Sequence, residues 1–533
     1  MNSGGKAAAL LACVLFAGLG SLFLSYPGAQ YDEVFFYNAL HDGGVVECAM
    51  KFRFGAVPIM LVTYAGTLKA ALYAPLLHWF GTSDALLRLP VLSFGAVSIG
   101  LFFLTMRRLV GPRMAALVSL LLASDAVYLL TCVFDWGPVA LQQLLAAGAL
   151  YCLVRYSQQL AGRWLFAGSF LAGLALWNKA LFLWQLAGFG LALLIVYRKE
   201  TLSAGRRHWA AALVGFLLGA APFLYYNKIH RLRTFTANAQ VESQSAVSKF
   251  PALAHTLNGG VLFGYLVREE PEGPVQDLKS WEKAPLWVNA TLGDPRQSLQ
   301  QFPLWGALLL SPVVCWFGPL RRLAIFFWLG GAFTYAQMVL THGAGGAAHH
   351  IILLWPMPQI LLGLLLSQVA LLWPPRGSLA GAVVISLGVV SNLVVLNSYL
   401  AHFIACGPGP VWSDAVRPLV YELGRKPGRL IFAVDWGIIQ QLEFYGQGSL
   451  GLQRGSDGIV ANLPQRASAA ALERGLVDSA TLFVMHAEGY ETFHGVRRKL
   501  ITFAAERGYQ DALVQTIQDR HGATVFEIHE FRK

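Results

Sequence analysis

The chain has 533 residues, 56% of them hydrophobic and only 13% charged, with a mean hydropathy of +0.51. Those values exclude an ordinary soluble domain and point to a polytopic helical membrane protein. The net charge of +11 does not indicate nucleic acid, because the basic residues stand in short clusters between apolar runs, as positive-inside topology requires.

In chain order, the run 7–24 carries no charge and is long enough to cross a bilayer. Lys6 before it and Pro27-Gly28-Ala29 after it mimic a secretory signal, but Pro27 breaks the small-x-small cleavage pattern. The run therefore reads as an uncleaved anchor. Tyr31-Asp32-Glu33 follows at once, placing two carboxylates where hydrocarbon gives way to water, a costly position unless it serves a purpose. The segment 59–80 is apolar but holds Gly66, Lys69 and Pro75. It reads as helices lying in the interface, with Lys69 reaching the head-group layer.

Further spans are expected at 89–106, 114–134, 139–153, 164–177, 180–197, 209–226, 304–319, 323–340, 351–372 and 379–396. With the first, they make about eleven transmembrane helices. Lys6, Arg107, Arg108, Arg113, Arg163, Arg198, Lys199, Arg206, Arg207, Arg321, Arg322 and Arg376 then share one side, the cytoplasmic one. Asp32, the external loops at about 25–88 and 227–303 and the C-terminal portion lie on the other. Past residue 401 the pattern changes: 429–434, 481–485 and 523–528 read as buried strands, with helical patterns at 467–476 and 496–507. The expected fold is an all-α polytopic membrane bundle over 1–400 and a small external soluble α/β domain over 401–533. Cys13, Cys48, Cys132, Cys152, Cys315 and Cys406 have no metal-type spacing and read as packing residues.

Asp32 and Glu33 diverge by about 100° on a helix and can serve different partners. The bland reading of an acidic pair is a helix cap. Asp135, in Phe134-Asp135-Trp136-Gly137-Pro138, falls at the outer end of the third span, where it can cap the next helix and still belong to a site. Asp125 lies ten residues earlier and should line a cavity or pair with another helix. Lys69, Arg88, Lys179 and the pair His349-His350 are cations or donors expected around a phosphate at the same surface. Tandem histidines seldom share one ion, so hydrogen bonding is preferred to metal ligation there. No Walker loop, GxGxxG turn or GxSxG elbow is present.

The order of these features resembles the GT-C fold integral-membrane glycosyltransferases, specifically those related to protein O-mannosyltransferases and lipid A aminoarabinose transferases. The shared pattern runs through Tyr31-Asp32-Glu33, Tyr64-x-Gly66-x-x-Lys69, Tyr73-x-Pro75 and Leu87-Arg88-Leu89-Pro90. It continues with Arg107-Arg108-x-x-Gly111, Asp135 and the Gly173-Leu174-Ala175 to Lys179 segment, covering about 7–230. Two departures stand out: His349-His350 replaces an Arg-Tyr, and Thr67-Leu68 stands where some relatives carry an acidic residue. The resemblance implies a polyprenyl-phosphate sugar as donor and transfer on the external face of a membrane; the Ala/Gly/Leu-rich spans and compact loops favour a bacterial inner membrane. The acceptor, whether lipid, glycan or protein, stays open, as does a divalent metal ion. The resemblance assigns Asp32 as the base, Glu33 and Asp135 as positioning groups, and Lys69, Arg88 and Lys179 to the donor phosphate, beside which His349 and His350 are expected as hydrogen-bonding groups. A lipid phosphate leaves as a stable anion and needs cations rather than a proton donor, so a single carboxylate base suffices, with inversion. The competing readings are a transporter or flippase with an acidic path, and a non-catalytic assembly subunit.

Overall fold

The computed structural model describes residues 3–533 except 41–43, 45, 54, 243–245, 272–277 and 464. Long apolar segments become helices because only a helix satisfies its own backbone within hydrocarbon. The chain opens with α1 (Ser3–Ser21), and a single turn, α2 (Tyr31–Val34), carries the acidic pair. Three strands follow, β1 (Cys48–Phe52), β2 (Gly55–Val62) and β3 (Ala65–Gly66), and then α3 (Leu68–Phe80). The bundle continues through α4 (Asp84–Val110), α5 (Pro112–Ser124), α6 (Ala126–Val133), α7 (Val139–Gln159), α8 (Gly162–Asn178) and α9 (Phe182–Val196). A short α10 (Arg198–Leu202) precedes α11 (Arg206–Ile229), and α12 (Arg233–Asn238), α13 (Phe250–Leu257) and α14 (Lys283–Leu292) lie in the long loop beyond it. The last bundle helices are α15 (Gln301–Val314), α16 (Arg321–Leu340), α17 (Ala348–Ile351), α18 (Met357–Leu372) and α19 (Arg376–Ala405).

Among the described residues six helices are long and apolar enough to cross a membrane, or seven if the bent pair α5–α6 is one span. α1, α9 and α15 are apolar but shorter.

The expectation of interfacial helices across 59–80 needs correction in its first half. The apolar run 59–62 ends β2, which pairs antiparallel with β1 and β3, and the helix begins only at Leu68. A short continuous apolar run does not by itself distinguish strand from helix.

The break between α5 and α6 bends the chain by 60° at Asp125. Its carboxylate, fully buried, accepts from the Tyr128 N–H (3.0 Å), Gln300 Nε2 (2.9 Å) and Trp355 Nε1 (3.0 Å). Asp125 therefore ties three distant segments together. Replacing it with Ala strands those donors in the core, at a cost of about 2–4 kcal/mol. The expected result is a lower unfolding temperature of the detergent-solubilised protein.

The C-terminal portion comprises α20 (Val416–Gly424), β4 (Leu430–Ala433), α21 (Ile438–Gly446), β5 (Gly451–Leu452), α22 (Arg466–Val477), β6 (Thr481–His486), α23 (Val496–Ala505), β7 (Gln510–Gln518) and β8 (Thr524–Arg532). The sheet order is β5-β4-β6-β8-β7, with β4 parallel to β5 and β6, and β8 antiparallel to β6 and β7. Side chains alternate across it: Ile431, Leu482 and Val484 pack on one face, Phe432 and Phe483 on the other. This unit sits directly on the acidic-pair loop. The Gly28 N–H donates to Trp412 O (2.8 Å), Gln441 Nε2 to Ala29 O (2.7 Å), and Arg417 pairs with Asp84 (2.6 Å). A side chain at Gly28 would meet Ser413 O at 2.0 Å, so only glycine permits that approach.

Candidate functional site

Gln30 starts the α2 turn. Its Oε1 accepts from the N–H groups of Asp32 (2.7 Å) and Glu33 (3.2 Å), while Glu33 Oε2 accepts from the Gln30 N–H (3.4 Å). This reciprocal cap fixes the turn and sends the two neighbouring carboxylates in different directions: Glu33 inward and buried, Asp32 outward and exposed.

Glu33 meets Arg88 on α4 in a two-pronged pair, Nε to Oε1 at 3.0 Å and Nη2 to Oε2 at 3.1 Å. The remaining Arg88 N–H groups donate to the carbonyls of Leu24 (2.8 Å), Pro27 (3.1 Å) and Gly28 (2.9 Å). A guanidinium has five N–H donors, and all are used inside the protein. None is left for the phosphate expected there. Arg88, fully buried, instead staples the acidic turn to α4.

Asp135 and Lys69 form a second buried pair, with Nζ 2.8 Å from Oδ2. Asp135 Oδ1 accepts from the Ala140 N–H (2.8 Å) and so holds the start of α7, although the N-cap position itself is Pro138 and not Asp135 as expected. Lys69 Nζ also lies 3.5 Å from Glu33 O and 3.4 Å from Asp135 O, over the rings of Phe36 and Tyr73. It is buried, not reaching for head groups as expected. Its ammonium knits the acidic turn to the Asp135 segment.

Lys179, between α8 and α9, donates to Gly137 O (2.8 Å), leaving two of its three N–H groups without a protein acceptor among the described residues. Burial pulls its pKa down to about 8, against the attraction of Asp135 and Asp32. Both His349 and His350 are within its electrostatic reach. His349 Nδ1 accepts from Trp136 Nε1 (3.1 Å), so in the neutral ring Nε2 carries the proton and is a donor. The His350 ring lies 4.1 Å from that of His349, and its buried Nδ1 has no partner among the described residues.

Asp32 is in no ion pair among the described residues. Its carboxylate reaches open space within a recess whose protein walls thin the surrounding water. That desolvation pushes its pKa up to about 6, while Lys179 and Gln30 pull the other way. Tyr64 and Tyr265 stand within electrostatic reach of it. Thus Asp32, Glu33, Lys69, Asp135, Lys179 and the His pair form one electrostatically linked cluster, of which Asp32 is the exposed member. Gln30, Trp136 and Tyr265 belong there too and were missed. Only the adjacency of Gln30 and Trp136 to the acidic residues could have signalled them.

Below Lys179 lies an apolar cavity of ≈ 340 Å³ between α7, α8, α9, α16 and α18, touched by Phe182, Phe189 and Leu193 on α9 and by Leu150, Phe326 and Ile360 opposite. From Phe182 to Leu193 it follows α9 for about 16 Å. Among the described residues no group of three or more His, Cys, Asp or Glu side chains could hold a metal ion.

Residues 68–226 match the family model described as dolichyl-phosphate-mannose-protein mannosyltransferase. No curated protein sequence matches the chain. The fold is similar to that of ArnT from Cupriavidus metallidurans bound to undecaprenyl phosphate, at 14% identity and a TM-score of 0.60, over 99% of this chain and 98% of that one. It is also similar to the Archaeoglobus fulgidus oligosaccharyltransferase in its apo form, at 12% identity and a TM-score of 0.53, over 91% and 70% of the two chains. The archaeal oligosaccharyltransferase AglB from Archaeoglobus fulgidus, in complex with an inhibitory peptide and a dolichol-phosphate, gives a TM-score of 0.50 at 12% identity, over 91% and 69%. With its apolar helices, this chain is an integral membrane protein, and its fold is the GT-C fold.

Proposed function

We propose that the protein transfers a sugar from a polyprenyl-phosphate donor to an acceptor at the external face of a bacterial inner membrane, with inversion and with Asp32 as the base. The observation that carries this reading is a division among the carboxylates. Glu33 and Asp135 are locked in buried ion pairs with Arg88 and Lys69, whereas Asp32 is open and unpaired. A base has to exchange protons with substrate, and only the open carboxylate is placed to do so. Asp32 takes the proton of the acceptor hydroxyl as its oxygen attacks the anomeric carbon. The lipid phosphate departs toward cations that need no proton to stabilise it.

Lys179 is the leading phosphate ligand, because it has N–H groups to spare and sits one turn above the apolar cavity, which suits an isoprenoid chain. His349 adds a neutral donor. Lys69 and Arg88 hold Asp135 and Glu33 in place rather than touching phosphate. The eleven spans expected from the sequence are taken as eleven crossings, with the N-terminus cytoplasmic and the C-terminal α/β unit external. The transporter alternative requires a continuous acidic path. Asp125, its deepest member, is instead tied down by Gln300 and Trp355.

Lys179→Ala is expected to weaken undecaprenyl phosphate binding roughly tenfold or more, since it removes a charge-assisted contact, while Lys69→Ala acts mainly on stability, since it leaves Asp135 buried without its counter-charge. Equal affinity of Lys179→Ala and wild type would remove Lys179 from the donor site. The pH dependence follows from Asp32. Below about 6 the carboxyl is protonated and cannot act as base, so the rate rises with pH and levels off above that value. A profile flat between about pH 5 and 8 would exclude a base titrating there.

A further inference from the structure

The transfer chemistry above makes no use of the most organised polar cluster in the C-terminal unit. β4 has β5 on one side and β6 on the other. The chain leaves β4 for one flank and then crosses to the opposite one, so the strand order reverses between β4 and β6. In open parallel sheets, ligands bind at such a reversal, outside the carboxyl ends of the strands. Here those ends carry Asp435, just beyond β4, and His486, the last residue of β6.

Asp435 is fully buried. Its Oδ2 accepts from His486 Nδ1 (2.6 Å) and the Thr492 N–H (2.7 Å), and its Oδ1 from the N–H groups of Trp436 (2.8 Å) and Phe493 (3.0 Å). Burial pushes this carboxyl up, but His486 and the N–H groups outweigh it and hold the group below the usual carboxylate range. The His486 ring is thereby fixed. It stacks on Phe526 with centroids 5.0 Å apart, and its Nε2 has no protein partner among the described residues. Trp436 and Tyr31 form the other walls of the crevice, edge to face at 6.2 Å. Gly437, at φ +94, admits the Tyr31 ring, which a Cβ there would meet at 2.7 Å. The free space is ≈ 10 Å³, room for one hydroxyl-sized group. Tyr31 directly precedes Asp32, so the crevice adjoins the recess of the proposed base.

We propose that the crevice between β4 and β6 recognises a carbohydrate acceptor, with one ring hydroxyl on His486 Nε2 and the ring against Trp436. The inference rests on the transferase reading and deepens it by naming the acceptor class. His486 and Trp436 are recognition residues, and Asp435 positions His486.

The test uses the full chain in lipid nanodiscs, with the methyl glycosides of glucose, galactose and mannose as probes and saturation-transfer NMR as the readout. Undecaprenyl phosphate binding is measured in parallel. At least one glycoside is expected to bind through its ring protons. His486→Ala and Trp436→Leu each weaken it roughly fivefold or more, Trp436→Phe retains it, and lipid binding is unchanged throughout. No binding by any of the three glycosides, binding insensitive to both substitutions, or a parallel loss of lipid binding in the variants would overturn the proposal. Failure of the wild type to bind undecaprenyl phosphate would instead remove the transferase reading, while the glycoside measurements still decide the crevice.

Discussion

Asp32→Asn is expected to lower sugar transfer by roughly 10²–10⁴-fold while leaving the fold intact, the loss typical of removing a positioned general base. The reason is local. The α2 turn is fixed by Gln30, Glu33 and the backbone, and the Asp32 carboxylate is exposed and outside every ion pair among the described residues. An amide of the same shape therefore disturbs no partner but cannot take a proton. Transfer of label from a radioactive polyprenyl-phosphate sugar into products of native membranes reads the effect, and the unfolding temperature reads the fold. Full activity in the variant would show that another group removes the proton.

Arg88→Met is expected to act on stability, at about 3–5 kcal/mol, because it leaves Glu33 buried without its counter-charge and strips the carbonyls of Leu24 and Gly28 of their donor. Adding Glu33→Gln should restore part of the loss, since the stranded charge is then gone. The pair can be measured as a double-mutant cycle on detergent-solubilised protein. This experiment also separates two roles for Arg88. A variant that unfolds like wild type but loses lipid binding would return Arg88 to the donor phosphate.

Much of the bundle was legible in the sequence because hydrocarbon imposes long, charge-free helices. The segments expected at 89–106, 209–226 and 379–396 fall inside α4, α11 and α19. The hairpin of β1 and β2 was not, since strands there carry too short a pattern to separate from helix. β7 was also missed: it is a largely exposed edge strand whose apolar run is only three residues, Ala512-Leu513-Val514, between Gln, Asp and Thr. At the site, residue type and order singled out the acidic turn, Asp135, Lys69 and Lys179, which lie in one electrostatically linked cluster. What sequence could not give was the pairing. Whether a buried cation faces substrate or a neighbouring carboxylate depends on contacts between residues far apart in the chain, such as Arg88 with Glu33 and Trp136 with His349.

The most direct test is a cryo-EM map of the protein with undecaprenyl phosphate. The phosphate is predicted within hydrogen-bond reach of Lys179, its chain in the cavity beside Phe182, and Asp32 unpaired across the recess. A phosphate held on the opposite side at Arg107 and Arg108, or Asp32 drawn into an ion pair, would contradict the account.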